Sequence, residues 1–316
     1  MRSGVMRRSL LKRHSTTFVV YIILAVLMLT TALLSEVFFT WRNFDNLLRQ
    51  VVPLGLVSLG QTFTILIAGI DLSVGSVVSM ASCVTTGIIM GRDPLVFPVL
   101  ALVMALALAI GFLNGFIINR TKVHPLIVTL GMMSLVQGGI LLYTKAPKGS
   151  VPASFDFLAW GNVWKVPFPI LLYGAVAAAA IVLLSRTTFG RYVYATGGKE
   201  EVARLSGIKT GKIKIYVYMI ASSCAALTGI FLASRMGMGD PLVGERYMLD
   251  SVIPVLIGGT RLTGGKGGVW GTIAGVFIFS ILSNALNLLG VTAYWQWIAE
   301  GLVVIVSVSL YFRQKA

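Results

Sequence analysis

Long apolar runs separated by short polar breaks organise this chain almost from end to end. Residues 98–113, "PVLALVMALALAIGFL", show neither the strict alternation of a half-buried strand nor the polar face of a surface helix. A helix needs about 20 mostly apolar residues, at about 1.5 Å each, to cross a hydrocarbon layer. Ten segments meet or approach that length: 16–34, 51–70, 72–90, 96–118, 125–143, 168–185, 215–233, 248–260, 269–289 and 295–312. The eighth is short, and the second and third are divided only by a glycine- and serine-rich break. The pattern predicts an all-α polytopic membrane protein with about 10 transmembrane helices. Residues 1–15 form a basic head, 16–312 one transmembrane domain and 313–316 a tail.

Charge fixes the expected orientation. With the N-terminus inside, the inner segments hold 18 of the 26 Lys and Arg residues and the outer ones hold 8. That is the asymmetry of cytoplasmic loops, and it places both termini in the cytoplasm. Acidic residues run the other way, seven outside and two inside, with Asp71 and Glu300 within or beside spans. The basic head lacks a small-residue cleavage site and the following apolar run is too long for a signal sequence, so it is read as the first span.

Composition agrees, at 56% hydrophobic and 12% charged residues. A net charge of +15 would fit a nucleic-acid binder, but the basic residues gather in loops rather than in an aromatic-interleaved patch. Cys83 and Cys224 lie inside apolar runs and read as small packing residues, not as a disulfide or metal site. His14 and His124 fall in terminal or loop positions, which leaves no basis for a Ser/His/Asp nucleophile. "GGTRLTGGKGG" lacks phosphate-loop spacing, with Gly267 where a Ser or Thr would hold Mg²⁺. Gly111/Gly115 and Gly271/Gly275 are small-xxx-small pairs suited to close helix packing.

The sharpest chemistry is in "LIAGIDLSVGS", residues 66–76, which sets Asp71 between two apolar runs. The stretch has an echo in "LIGGTRLTGG", residues 256–265, with five of ten positions identical and Arg261 at the place of Asp71. A charge at membrane depth points by default to function, often ion coupling. Asp71 equally suits the entry to the next helix, where a carboxylate beside free N–H groups is favourable, or a subunit contact. An Asp71–Arg261 ion pair is a further option. Gln61, Asp71, Ser73, Gly75, Asn114, Asn284 and Asn287 are candidates for a translocation pathway or hinge. Ser58, Gln61 and Thr62 share a helical face, as do Ser280, Asn284 and Asn287. Uncharged amides and hydroxyls both donate and accept, as a polyhydroxylated solute requires; interhelical hydrogen bonding explains such residues equally well.

The longest inner loop, 185–214, is basic and punctuated by glycine. "KEEVARLSG" within it predicts a short helix closed by Gly207. Its physical properties fit either anionic lipid or a soluble partner.

"AGIDLSVGS", "FGRYVYATGGKEEVARLSGI" and "IGGTRLTGGKGGVWGTIAG", in this order, resemble the permease subunit of ribose-type ABC sugar importers, from about Phe44 to the end of the chain. The resemblance implies a permease pair in a bacterial cytoplasmic membrane, joined to an ATP-binding cassette ATPase. It also implies an extracytoplasmic solute-binding protein, received by outer loops 36–50, 144–167 and 234–250, with a sugar as cargo. No cofactor is then expected on this chain, because ATP and Mg²⁺ belong to the partner subunit. The 185–214 loop is similar to the loop through which such permeases engage their ATPase. The resemblance assigns that coupling to Glu200, Glu201, Ala203, Arg204 and Gly207, with Val202 departing from the family's alanine. The competing expectation is a proton-coupled secondary transporter using Asp71 or Glu300.

Overall fold

A computed structural model describes residues 20–33, 35–292, 294–298 and 301. Helix α1 covers Val20–Leu33. Helix α2, Trp41–Leu66, starts where Thr40 Oγ1 accepts the backbone N–H of Asn43 at 3.3 Å. Helix α3, Val74–Ile89, follows the glycine-rich break, and a 3₁₀ turn at Asp93–Leu95 leads into α4, Val96–Thr121. Helix α5, Pro125–Tyr143, is opened by His124, whose Nδ1 accepts from Leu126 N, with proline at the first helical position. Next come α6, Ala153–Trp160, a two-residue hairpin of β1 (Asn162–Val163) and β2 (Val166–Pro167), and α7, Phe168–Arg186. The arm α8 (Thr188–Gly198) and α9 (Glu200–Leu205) precedes α10, Thr210–Met236. Two six-residue helices, α11 (Glu245–Asp250) and α12 (Val252–Ile257), then precede α13, Val269–Leu288.

Helix α10 is the central post, packed against α2, α3 and α4. Helix α13 closes on α2 and α12, while α5 and α7 lie outside on α3 and α2. The outer helices turn large apolar side chains outward, among them Phe97, Leu135 and Leu142. That inverts a soluble protein's surface and suits contact with lipid. Among the described residues, five helical segments are long and apolar enough to cross a membrane: 93–121, 125–143, 168–186, 210–236 and 269–288.

Both small-xxx-small pairs sit where backbones meet. A Cβ on Gly111 would lie 2.5 Å from Tyr218 O, and one on Gly115 would overlap Ile215, so α4 and α10 touch through these glycines. Gly271 and Gly275 likewise admit the Gly258 and Pro254 carbonyls of the α12 segment.

Two expectations change. The span expected over 248–260 is discontinuous: α11 and α12 join at Ser251, and Pro254 supplies no N–H. The second span begins ten residues earlier than its apolar run, because α2 carries a polar first third, Trp41–Gln50. Most of the tenth span lies outside the described residues.

Candidate functional site

Helix α2 ends inside the protein, so its last carbonyls need partners. Thr64 O accepts from Ile67 N and Gly69 N, and Ile65 O accepts from Ala68 N. Leu66 O accepts from Gly265 N at 2.9 Å, a residue of the echo segment. The two similar stretches therefore meet through a backbone hydrogen bond. Arg261 stands exposed, its N–H given to Lys266 O, and forms no ion pair with the fully buried Asp71.

Asp71 Oδ1 accepts twice from Ser73, from its N–H at 2.9 Å and its hydroxyl at 2.6 Å. This is an Asx turn. It corrects the simple capping expectation, because Ser73 is the residue preceding the helix and Asp71 holds its amide rather than a first-turn amide of α3. Asn114 Nδ2 donates to Ser73 Oγ at 2.9 Å, which ties α4 to the break, and Thr129 Oγ1 of α5 donates to Ile70 O. Asp71, Ser73 and Asn114 have no exposed surface.

The cluster is only half satisfied. Asp71 Oδ2 and Asn114 Oδ1 have no hydrogen-bond partner among the described residues. Neither has the hydroxyl of Tyr218, which faces Gly69 across the break. Gln61, one and a half turns back along α2, is fully buried with both amide atoms unpartnered. Natural interiors hold few such atoms, because each costs about 1–3 kcal/mol. Gly75 lets the broken span approach: a Cβ there would sit 2.8 Å from Gly244 O, and Gly244 N donates to Ser79 Oγ. Discontinuous helices beside a break at membrane depth are where transporters form pathways.

The structure does not bring every candidate to this place. Asn284 pairs reciprocally with Asn43, at 3.0 and 3.2 Å, at the opposite end of α2 from Asp71. Asn287 Oδ1 accepts from Gln296. These amides join helices, and the set predicted as one group divides in two.

The arm forms the second candidate region. Gly207, at φ +84°, closes α9 with Gly207 N bonded to Arg204 O and Ile208 N to Ala203 O, the paired bonds of a Schellman stop. Glu200 is engaged by Lys214 Nζ at 2.7 Å, and Ala203 is buried. Glu201, Arg204 and Gly207 are exposed. Sequence reasoning missed the outward apolar pair Val202 and Leu205, 55% and 80% exposed and three residues apart on one face. At its other end the arm meets the break. Gly197 packs so closely on Leu66 O that no side chain fits, while Gly264 and Gly265 pack on Gly197 and Gly198. Tyr194 donates to Gly267 O at 3.0 Å. The ends of α2, α8 and the post-α12 loop thus form one glycine-lined junction. The sequence signal for it was glycine doublets at 197–198 and 264–265, visible but not assignable to each other.

A helical bundle with lipid-facing apolar sides, a broken span and a half-satisfied polar break defines a polytopic membrane transport component. A family profile described as "Branched-chain amino acid transport system / permease component" matches residues 43–308, and the chain belongs to this permease family. It is 38% identical to the ribose import permease protein RbsC of Haemophilus influenzae over 293 residues, 91% of this chain and 90% of the relative. It is also 38% identical to RbsC of Bacillus subtilis, over 93% of this chain and 92% of the relative. The D-allose transport system permease protein AlsC of Escherichia coli is 33% identical over 94% of this chain and 91% of its own length. No solved structure matches.

Proposed function

We propose that this chain is the membrane-spanning permease subunit of a binding-protein-dependent importer that carries a monosaccharide into the cytoplasm. The reading is carried by its likeness, along nearly the whole chain, to permeases named for ribose, with further relatives named for D-allose and fructose. Energy comes from ATP hydrolysed on a separate ATP-binding cassette subunit, which holds the nucleotide and Mg²⁺. The chain itself catalyses no reaction. A solute-binding protein outside the membrane delivers cargo, and a second permease copy completes the path.

The α8–α9 arm takes the ATPase contact. Glu200 and Ala203, first assigned to coupling, act from within: Glu200 anchors α9 to α10 through Lys214, and Ala203 seats the helix. Glu201, Val202, Arg204, Leu205 and Gly207 face the partner. Arm motion reaches the spans through Gly197 and Leu66, and from there the Asp71–Ser73–Asn114 break. Burying an exposed Leu or Val side chain in a partner's surface is worth about 1.5–3 kcal/mol, and a charge in its place must be desolvated unpaired. Leu205→Glu is therefore expected to abolish co-purification of the ATPase while leaving the detergent melting temperature unchanged. Full retention of the ATPase by that variant contradicts the assignment.

The proton-coupled reading retains one observation in its favour, the unpartnered Oδ2 of buried Asp71. Glu300 lies outside the described residues.

A further inference from the structure

A membrane-facing groove of about 410 Å³ runs between α4, α7, α8 and α10, apart from the polar break and the exposed face of α9. Leu108, Leu183, Phe189, Tyr216, Ile220 and Leu227 form its walls. Of the two hydroxyls on its lining residues, that of Ser223 is already donated to Met219 O of its own helix at 2.8 Å, which leaves that of Tyr216 at one end. One hydroxyl does not serve a sugar, which needs donors and acceptors on every side. Phe112, one turn from Leu108 on α4, and Tyr216 in the groove wall are 44% and 52% exposed, so the groove opens on the outer surface of the bundle, toward hydrocarbon.

Its length is informative. From Tyr216 to Leu227 the groove follows eleven steps of α10, about 16 Å. That is half of a hydrocarbon core about 30 Å thick, the depth of one leaflet. At the end nearest the arm, Phe189 and Tyr216 meet edge to face, with centroids 6.4 Å apart. Two cations lie within one turn of groove residues on their own helices: Arg186, three residues after Leu183 on α7, and Lys212, one turn before Tyr216 on α10. Arg186 is exposed and Lys212 half-buried, and neither forms an ion pair among the described residues.

We propose that this groove is a binding site for one anionic phospholipid of the arm-side leaflet. An acyl chain lies along α10 against Leu108, Ile220 and Leu227, and the phosphate headgroup is received by Arg186 and Lys212. An apolar slot one leaflet deep with unpaired cations at its polar end complements an anionic lipid and no other component of the bilayer. The site places lipid against α8, the helix that links the arm to the junction at Gly197.

The test uses the full chain in detergent, titrated with phosphatidylglycerol or phosphatidylcholine of identical acyl chains and read by native mass spectrometry. One phosphatidylglycerol per chain is expected to bind at least about tenfold more tightly than phosphatidylcholine, since each cation near an anionic headgroup is worth about fivefold. The double variant R186Q/K212Q removes that preference. Ser223→Phe, which fills the slot, lowers occupancy by both lipids at least about tenfold, and Ser223→Leu serves where the larger residue unfolds the chain. Equal affinity for the two lipids, or an unchanged preference in the double variant, overturns the proposal. So does a lipid-free dimer that Ser223→Phe or Ser223→Leu converts to monomer, because the groove would then be covered by a second copy.

Discussion

Helix α2 carries a buried charge near its start and leads into another just after its end, and the protein treats them in opposite ways. Arg49, 4% exposed, is saturated. Its guanidinium binds both oxygens of Asp45, at 2.8 and 3.2 Å, the Ala159 carbonyl and the Asn162 side chain, and it lies over the Trp160 ring. Asp71 is more deeply buried but uses one oxygen only, on a residue two positions away. A saturated buried charge locks α2 to α6 and the hairpin, since any displacement strands it. A half-satisfied one gains from a second arrangement, which is what a moving part needs. In the proposed transport role, the Arg49 end is the fixed frame and the Asp71 end the moving part.

Three substitutions break or sharpen this contrast. Arg49→Ala leaves the Ala159 carbonyl and the Asn162 side chain without their donor and empties a packed site, so it is expected to cost about 2–4 kcal/mol, read as a large fall in melting temperature in detergent. Gly197→Ala drives a Cβ against the Leu66 carbonyl. It is expected to cost about 1–3 kcal/mol by overpacking while the ATPase remains bound and its stimulation by transport is lost. Asp71→Asn keeps an acceptor for Ser73 N–H and gives the bare side an amide. Its melting temperature should move least, within about 1 kcal/mol, yet uptake should fall about tenfold or more. Equal stability losses at Arg49 and Asp71 would erase the distinction between frame and moving part.

The helices were legible because lipid-facing and core-facing residues are both apolar, so span length alone reveals them. The predicted 125–143 segment coincides with α5, and the small-xxx-small pairs fall at real contacts. The broken span was not legible: "MLDSVIPVLIGG" is apolar enough to read as continuous, and only its packing against Gly75 and Ser79 shows where α11 re-enters the bundle. The break at Asp71 was visible in the sequence, but the carboxylate turns onto Ser73 instead of capping α3, and Asn114 and Tyr218 come from helices 41 and more residues away. Asn284 read as pathway-lining because its partner Asn43 is 241 positions distant. The arm helix and its Gly207 stop were predictable from Lys199–Gly207. Its outward Val202 and Leu205 were not, since a short helix does not announce which face its neighbours cover.

The proposed importer role requires that transport be driven by a partner's ATP hydrolysis and not by an ion gradient at Asp71. Proteoliposomes containing this chain, its ATPase and its binding protein, loaded with ATP and offered labelled ribose-type sugars, measure it directly. The expected result is uptake that needs internal ATP and all three components and that survives collapse of the proton gradient. Uptake by the chain alone under an imposed pH gradient, abolished by Asp71→Asn, would contradict it.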